Sequence, residues 1–180
     1  MILILALLSL SLSAQSVKDQ KNRAAPLSVC ELIAHRSDYN RRMVAVRGVV
    51  KGGGHGAWLA ANRECVYTLV TRGVEWPNLI FLAYPDNSSQ LESYHADFRV
   101  DWRAIRRVEE EVQGHAFNPD TDDTIETYEG LFLTYSDLER RVSPGVPGAL
   151  RLGFGPLGEA PAQLLIKTVR DAVVVRGKDR

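Results

Sequence analysis

The residues best suited to chemistry in this chain of 180 amino acids are three carboxylates in one short acidic run. Asp120, Asp122 and Asp123 follow one another closely, with threonine between and after them. Carboxylate oxygens are the ligands that hard cations such as Ca²⁺ prefer. We therefore name Asp120, Asp122 and Asp123 as a candidate metal site. The alternative, an acidic turn in contact with solvent, is the default interpretation of such a run.

The residues around this run resemble the calcium-binding loop of EF-hand proteins. From Asn118 to Glu129, oxygen-bearing side chains fall at positions one, three, five, nine and twelve of that loop, and Ile125 takes the apolar eighth position. Three features depart from the motif. Asn118 replaces the usual first aspartate, Asp123 replaces the turn glycine, and Gly130 with a β-rich run stands where the second helix should begin. An EF-hand fold is therefore not expected.

The other groups capable of catalysis are scattered along the sequence. His95 and Asp97 are two positions apart, which on a strand places both on one face, while His55 and His115 stand far from them. Because these residues lack a diagnostic spacing, the sequence gives little support for a zinc site. Surface or capping roles are favoured, and the catalytic residues stay unassigned.

Two common functional motifs are missing from the sequence. The run Gly52–Gly56 lacks the Lys-Ser or Lys-Thr pair and the helix that a phosphate-binding loop needs, so it predicts a hairpin turn. No G-x-S-x-G, the motif around the nucleophilic serine of many hydrolases, is present.

Glu109, Glu110 and Glu111 fall on a charged helix face, where a surface role in contact with solvent is favoured over acid–base catalysis. We expect no cofactor and favour a protein without catalytic activity.

Aromatic residues offer a different chemistry, because rings on a barrel face can stack against a ligand. Simple core or cross-strand packing is the alternative for most of them. The candidates are Trp58, Tyr67, Trp76, Phe81 and Tyr84.

Charge and composition limit the partners. Lys and Arg number 22 and Asp and Glu number 22, so the chain has no overall field to attract nucleic acid or anionic lipid. A hydrophobic fraction of 45% and a charged fraction of 24% are typical of a globular domain. We expect a small ligand or an envelope protein as partner, and no nucleic acid.

The N-terminus predicts export. Residues 1–16 carry no charged side chain, their apolar run is shorter than the ~20 residues that span a bilayer, and Ala14-Gln15-Ser16 resembles a cleavage site. We predict a signal peptide over 1–16, a flexible leader over 17–26, a secreted or periplasmic location and no transmembrane anchor. A buried N-terminal strand or a short anchor is the alternative.

Two cysteines follow the predicted leader. In an oxidising compartment Cys30 and Cys65 are expected to form a disulfide, which would stabilise the fold by about 3–4 kcal/mol. The alternative is a pair of buried thiols.

The remaining pattern predicts one β-rich domain over 27–177. Ser28 and Glu31 form a capping box before a short helix. A longer amphipathic helix is predicted over Asp101–Gln113. Strands are predicted over Arg42–Val50, Ala57–Ala61, Cys65–Thr71, Asn78–Tyr84, Ile125–Tyr135, Leu150–Phe154 and Leu164–Val175, the last of them bent near Asp171.

The order of these elements resembles the OB-fold barrel, whose helix stands between the third and fourth strands. The stretch Tyr39–Val50 adds a V-x-V-x-G-x-V pattern, in which Gly48 implies a bulge or a sharp bend. The fold class predicted is mainly β with α: an OB-like barrel of five or slightly more strands, with a leading short helix. The chain is also similar to uncharacterised exported bacterial proteins with the same helix–strand–Cys opening, which imply no function.

Three functional hypotheses follow. The first is an exported, non-catalytic module that binds a small molecule, a glycan or an envelope protein across its barrel face. The second is an envelope hydrolase whose site forms only on folding. The third is a structural protein stabilised by a cation bound to the acidic run.

Overall fold

The computed structural model describes residues 25–53, 56–85, 98–143 and 150–177. The predicted signal peptide, most of the predicted leader, His55, His95 and Asp97 lie outside these residues. In chain order the elements are β1 Leu27–Ser28, α1 Val29–Ala34, α2 Arg36–Tyr39, β2 Arg42–Gly53, β3 Gly56–Ala60, β4 Leu69–Thr71, β5 Val74–Trp76, β6 Leu79–Ala83, α3 Trp102–Gly114, β7 Asp123–Thr134, a 3₁₀ turn Leu138–Arg141, β8 Val142–Ser143, β9 Leu150–Arg151 and β10 Ala162–Val175.

Five strands close into a barrel in the order β2, β3, β6, β10 and β7, and β7 pairs with β2 again. Four of the five pairings are antiparallel, and that between β6 and β10 is parallel. The short helix α1 precedes the barrel, and α3 lies between β6 and β7, which are the third and fourth barrel strands in chain order. The predicted OB-like class, mainly β with a leading short helix, is confirmed.

A close approach explains the glycine in β2. Val44 and Val46 are buried in the core, and Gly48 follows them with the same alternation. A Cβ at Gly48 would lie 2.7 Å from the carbonyl oxygen of Ala60 and 2.7 Å from a methyl group of Val29. The pairing of β2 with β7 runs through Gly48 without a register shift. Gly48 is therefore needed for contact with β3 and α1, and it makes no bulge in this pairing.

The leading helix is anchored both by capping and by a covalent bond. The Ser28 hydroxyl accepts a hydrogen bond from the Glu31 N–H at 3.0 Å, as the capping box predicts. Cys30 is bonded to Cys65, with 5.6 Å between their Cα atoms. The predicted disulfide is thus confirmed, and it ties α1 to the segment between β3 and β4.

The long helix α3 packs its apolar face on the same core. Asp101 caps its start by accepting a hydrogen bond from the Ala104 N–H at 3.0 Å. Ile105 and Val108 are buried in the main cluster with residues of the barrel. The helix predicted over Asp101–Gln113 is confirmed within one residue at each end.

The last strand is irregular where the sequence predicts a bend. Asp171 has a φ of 55°, and the pairing of β10 with β7 shifts register between Arg170 and Val173.

Two predicted strands are shorter than expected. Only Leu69–Thr71 of the stretch from Cys65 forms a strand. The Tyr67 carbonyl accepts a hydrogen bond from the Asn78 side-chain amide at 2.6 Å, in place of a bond from a neighbouring strand. Only Leu150–Arg151 forms β9, and Phe154 makes an isolated bridge.

Candidate ligand-binding face

Two aromatic side chains stand opposite each other on the outside of the barrel. Trp58 of β3 pairs directly with Phe81 of β6, and their ring centroids are 6.1 Å apart at 57°. Because strand side chains alternate, the neighbouring pair Leu59 and Ile80 points inward and is fully buried. Trp58 and Phe81 belong to neither hydrophobic cluster of the described residues.

Polar side chains continue this outer row on both sides. Lys51 of β2 pairs with Trp58, and Gln163 of β10 pairs with Phe81. The Lys51 ammonium lies 2.5 Å from a carboxylate oxygen of Asp123. The row therefore combines two rings with an amide and a charge that already has a partner.

A segment between β7 and β10 covers the two rings. We call Leu150–Pro161 the strap. At Gly155, whose φ is +88°, a Cβ would lie 3.3 Å from Phe81 Cδ2 and 3.6 Å from Trp58 Nε1. A side chain at this position would therefore touch both rings, so the strap leaves room for about one carbon atom between its backbone and the rings, and glycine permits both this close approach and the positive φ.

The strap contains a turn that its own backbone closes, and its start is attached to other segments: the Leu152 N–H donates to the Arg141 carbonyl at 2.9 Å, and Arg151 Nη2 donates to the Glu75 carbonyl at 2.7 Å. The Gly153 N–H donates to the Gly158 carbonyl at 2.8 Å, and the Phe154 N–H donates to the Ala160 carbonyl at 2.8 Å. The Phe154 ring stacks on Tyr135, with centroids 4.4 Å apart at 13°. This stacking anchors the strap beside the barrel.

Polar atoms without partners concentrate at the strap. Four side-chain polar atoms among the described residues are shielded from solvent and have no hydrogen-bond partner. Each such atom costs about 1–3 kcal/mol relative to a paired one. Three of them belong to the strap or to the face beneath it. They are Trp58 Nε1, Arg151 Nε and Glu159 Oε2; the fourth is Asn78 Oδ1.

The acidic run forms a structural corner. Asp122 is buried and accepts hydrogen bonds from the N–H of Asn118 at 3.1 Å, the Thr121 hydroxyl at 3.1 Å, Arg176 Nη1 at 2.6 Å and the N–H of Gly177 at 3.3 Å. These donors, the Asn118 N–H above all, lower the pKa of Asp122 from its usual 3.8 to about 2. We call these five residues the Asp122 corner.

The other two carboxylates of the candidate metal site face elsewhere. Asp123 contacts Lys51, and Asp120 is exposed. Across the described ranges, no group of three or more His, Cys, Asp or Glu side chains is placed to hold a metal ion. The metal site at Asp120, Asp122 and Asp123 stays a prediction. His115, the described histidine of those singled out, is exposed at the end of α3.

The remaining aromatic candidates serve the core or a helix contact. Trp76 is buried and donates its indole N–H to the Thr71 hydroxyl at 2.7 Å, and Tyr67 packs against the main cluster. Tyr84 lies 5.0 Å from Trp102 of α3, between ring centroids. The structure therefore brings only Trp58 and Phe81 together on the outer face.

A buried acid that sequence reasoning missed lies on β7. Glu126 is 7% exposed and its carboxyl is hydrogen bonded to Tyr128 and Thr124. Burial raises the pKa of Glu126, and Glu109 of the exposed face of α3 raises it further. The signal was the two-residue alternation, which places Glu126 on the same face of the strand as Tyr128 and the buried Phe132.

The wider surface offers an open, polar cleft of about 510 Å³ beside α2 and the 3₁₀ turn, lined among others by Arg36, Asp137 and Arg140. It contains neither ring of the outer aromatic pair. In the part of the chain that the structure describes, no helix has the length and apolar character needed to cross a membrane.

Comparison with known proteins finds no match: no protein family, no curated protein and no solved structure is significantly similar to this chain. Any function must therefore be argued from the geometry itself.

Proposed function

We propose that the protein is an exported, non-catalytic binding module whose ligand stacks on Trp58 and Phe81. One observation carries the proposal: these rings pair on the outside of a closed barrel and take no part in its core. Rings in such a position contribute nothing to the interior packing that explains most buried aromatics, whereas exposed aromatic faces are typical of ligand sites.

The position of the pair within the barrel supports the same function. OB-type barrels bind oligonucleotides and oligosaccharides on the face of their second and third strands, flanked by the loops after strands one and four. Here β3 and β6 are the second and third barrel strands, and the strap follows the fourth. This support is an analogy of fold.

Charge favours a neutral ligand over a nucleic acid. The chain has 22 basic and 22 acidic residues, and the Lys51 ammonium beside the rings is paired with Asp123. Phosphate binding depends on unpaired positive charge. The proposed ligand is therefore a small molecule, a glycan or an apolar segment of an envelope protein.

Export is part of the proposal and is supported by two observations. The first 16 residues have the composition of a signal peptide, and Cys30 and Cys65 are joined, as is common in oxidising compartments.

The experiment measures binding by intrinsic fluorescence and calorimetry against a panel of soluble glycans, small aromatic compounds and envelope extracts fractionated by size. Trp58→Ala and Phe81→Ala should each weaken binding by about tenfold or more. Trp102→Ala is the control, because that tryptophan is 48% exposed and lies on α3 instead of the outer row of the barrel. Equal loss in the control, or full binding by Trp58→Ala, would refute the proposal.

A further inference from the structure

We infer that the strap (Leu150–Pro161) occupies the ligand face in the free protein and that a neutral oligosaccharide displaces it. The inference rests on the proposed function, since it names the ligand class and the control of that same face.

The first step is that strap and ligand compete for one surface. A single carbon added at Gly155 would be in van der Waals contact with the Phe81 ring and the Trp58 indole nitrogen, so the space between the strap and the rings is too small for a stacked ligand. A ligand stacked on these rings would need the same volume. Binding therefore requires the strap to move.

The second step is that the closed strap leaves hydrogen-bonding groups unused. Trp58 Nε1 and Arg151 Nε are donors without acceptors, and Glu159 Oε2 is an acceptor without a donor. Buried polar atoms are normally paired, so an unpaired set demands an explanation. Opening the strap exposes these atoms to water or to a ligand, which offsets part of the contacts that opening breaks.

The third step identifies the ligand from this set of groups. Two aromatic faces with two N–H donors and one carboxylate acceptor match a sugar chain, whose C–H faces stack on rings while its hydroxyls both accept and donate. Arg151 and Glu159 give the strap one positive and one negative charge, Arg151 Nη2 already donates to the Glu75 carbonyl at 2.7 Å, and Lys51 is paired with Asp123. A neutral sugar fits this balance better than a charged one.

The fourth step is that the turn of the strap can open while the two ends of the strap stay attached. Gly155 and Gly158 have φ values of +88° and +65°, where other residues are strained. The hydrogen bonds from the Gly153 and Phe154 N–H groups close this turn and break when it opens. At its end, the Pro161 carbonyl accepts from the Thr134 hydroxyl at 3.0 Å and fixes the strap to β7.

The test titrates the whole mature protein with chitohexaose, cellohexaose and maltohexaose, and follows amide hydrogen exchange of the strap. Gly155→Ala should weaken the closed position and so tighten sugar binding by about fivefold, because a larger fraction of molecules is open. Leu157→Ala is the matched strap control, since that side chain is 69% exposed. In the wild type, bound sugar should speed exchange of the Gly153 and Phe154 amides.

The outcomes separate the two proposals. If Trp58→Ala abolishes sugar binding but bound sugar leaves strap exchange unchanged or slower, the strap inference is wrong and the proposed function stands. If a sugar binds equally well to Trp58→Ala, the proposed function itself fails. If neither the wild type nor Gly155→Ala binds any of the three sugars, or a short thymidine oligonucleotide binds instead, the assigned ligand class is wrong. The exchange measurement needs no variant, so misfolding of Gly155→Ala cannot obscure the result.

Discussion

The strap and the Asp122 corner are both irregular segments held by a few polar groups, yet their hydrogen bonding differs completely. Asp122 is buried and accepts from four donors on two parts of the chain. The strap and the face beneath it keep three shielded polar atoms without partners. A saturated corner has nothing to gain by opening, whereas an unsaturated strap recovers hydrogen bonds when it opens. The comparison teaches that the corner is structural and that the strap is the segment adapted to change.

The largest expected effect comes from removing the crosslink that lies outside both regions. The double variant Cys30→Ser with Cys65→Ser should lose about 3–4 kcal/mol of unfolding free energy, because its unfolded chain is less restricted. Hydrogen exchange should then accelerate at the Asn118 amide of the corner, because we expect this hydrogen-bonded amide to open only on global unfolding. The Phe154 amide of the strap should be unaffected, since it exchanges by local opening.

The same acceleration at both amides would break the comparison, because the strap would then open only when the barrel unfolds. Urea titration of the double variant against the wild type gives the global loss with which both exchange rates are compared.

A smaller effect is expected when single indoles are replaced. Trp76→Phe removes a paired donor and leaves the Thr71 hydroxyl without its partner, so it should cost about 1–3 kcal/mol. Trp58→Phe removes an unpaired donor and should cost less than about 1 kcal/mol. Chemical denaturation of both variants measures the difference, and an equal cost would show that the two indoles do not differ in hydrogen bonding.

The smallest effect is the loss of stability that protonation of the Asp122 carboxylate causes in acid. Because the pKa of Asp122 falls from 3.8 to about 2 on folding, its contribution is complete above about pH 4 and is lost as the pH falls toward 2. Thermal melting from pH 7 to pH 2 should show this loss in the wild type. Asp122→Asn should melt lower at pH 7 and lack that part of the acid dependence. The exposed Asp120→Asn is the control, and a wild-type acid response in Asp122→Asn would contradict the assignment.

Much of the fold follows from local patterns. The capping box at Ser28, the amphipathic helix after Asp101 and the valine alternation before Gly48 each predict the element that forms, because they depend on neighbouring residues. The disulfide follows from the predicted compartment and the presence of just two cysteines.

The site was only half predictable, because it depends on contacts between distant segments. Trp58 and Phe81 appear among five aromatic candidates, but only the pairing of β3 with β6 separates them from Trp76 in the core. The strap resembles an ordinary loop in sequence, and its contact with the rings becomes visible only when β10 joins β6. The role of Asp122 likewise needs Arg176, which is 54 residues away.

The parallel pairing of β6 with β10 has a consequence for how the chain assembles. Ile80 of β6 pairs with Ala162 of β10, although most of the barrel sequence lies between these two residues. Strand β10 also pairs with β7. Ring closure must therefore wait for the C-terminal strand, and contacts of such long sequence separation slow folding. A chain truncated before Ala162 would retain the open sheet β7–β2–β3–β6, whose edge strands β7 and β6 would lack their partner, and such edges are a template for aggregation.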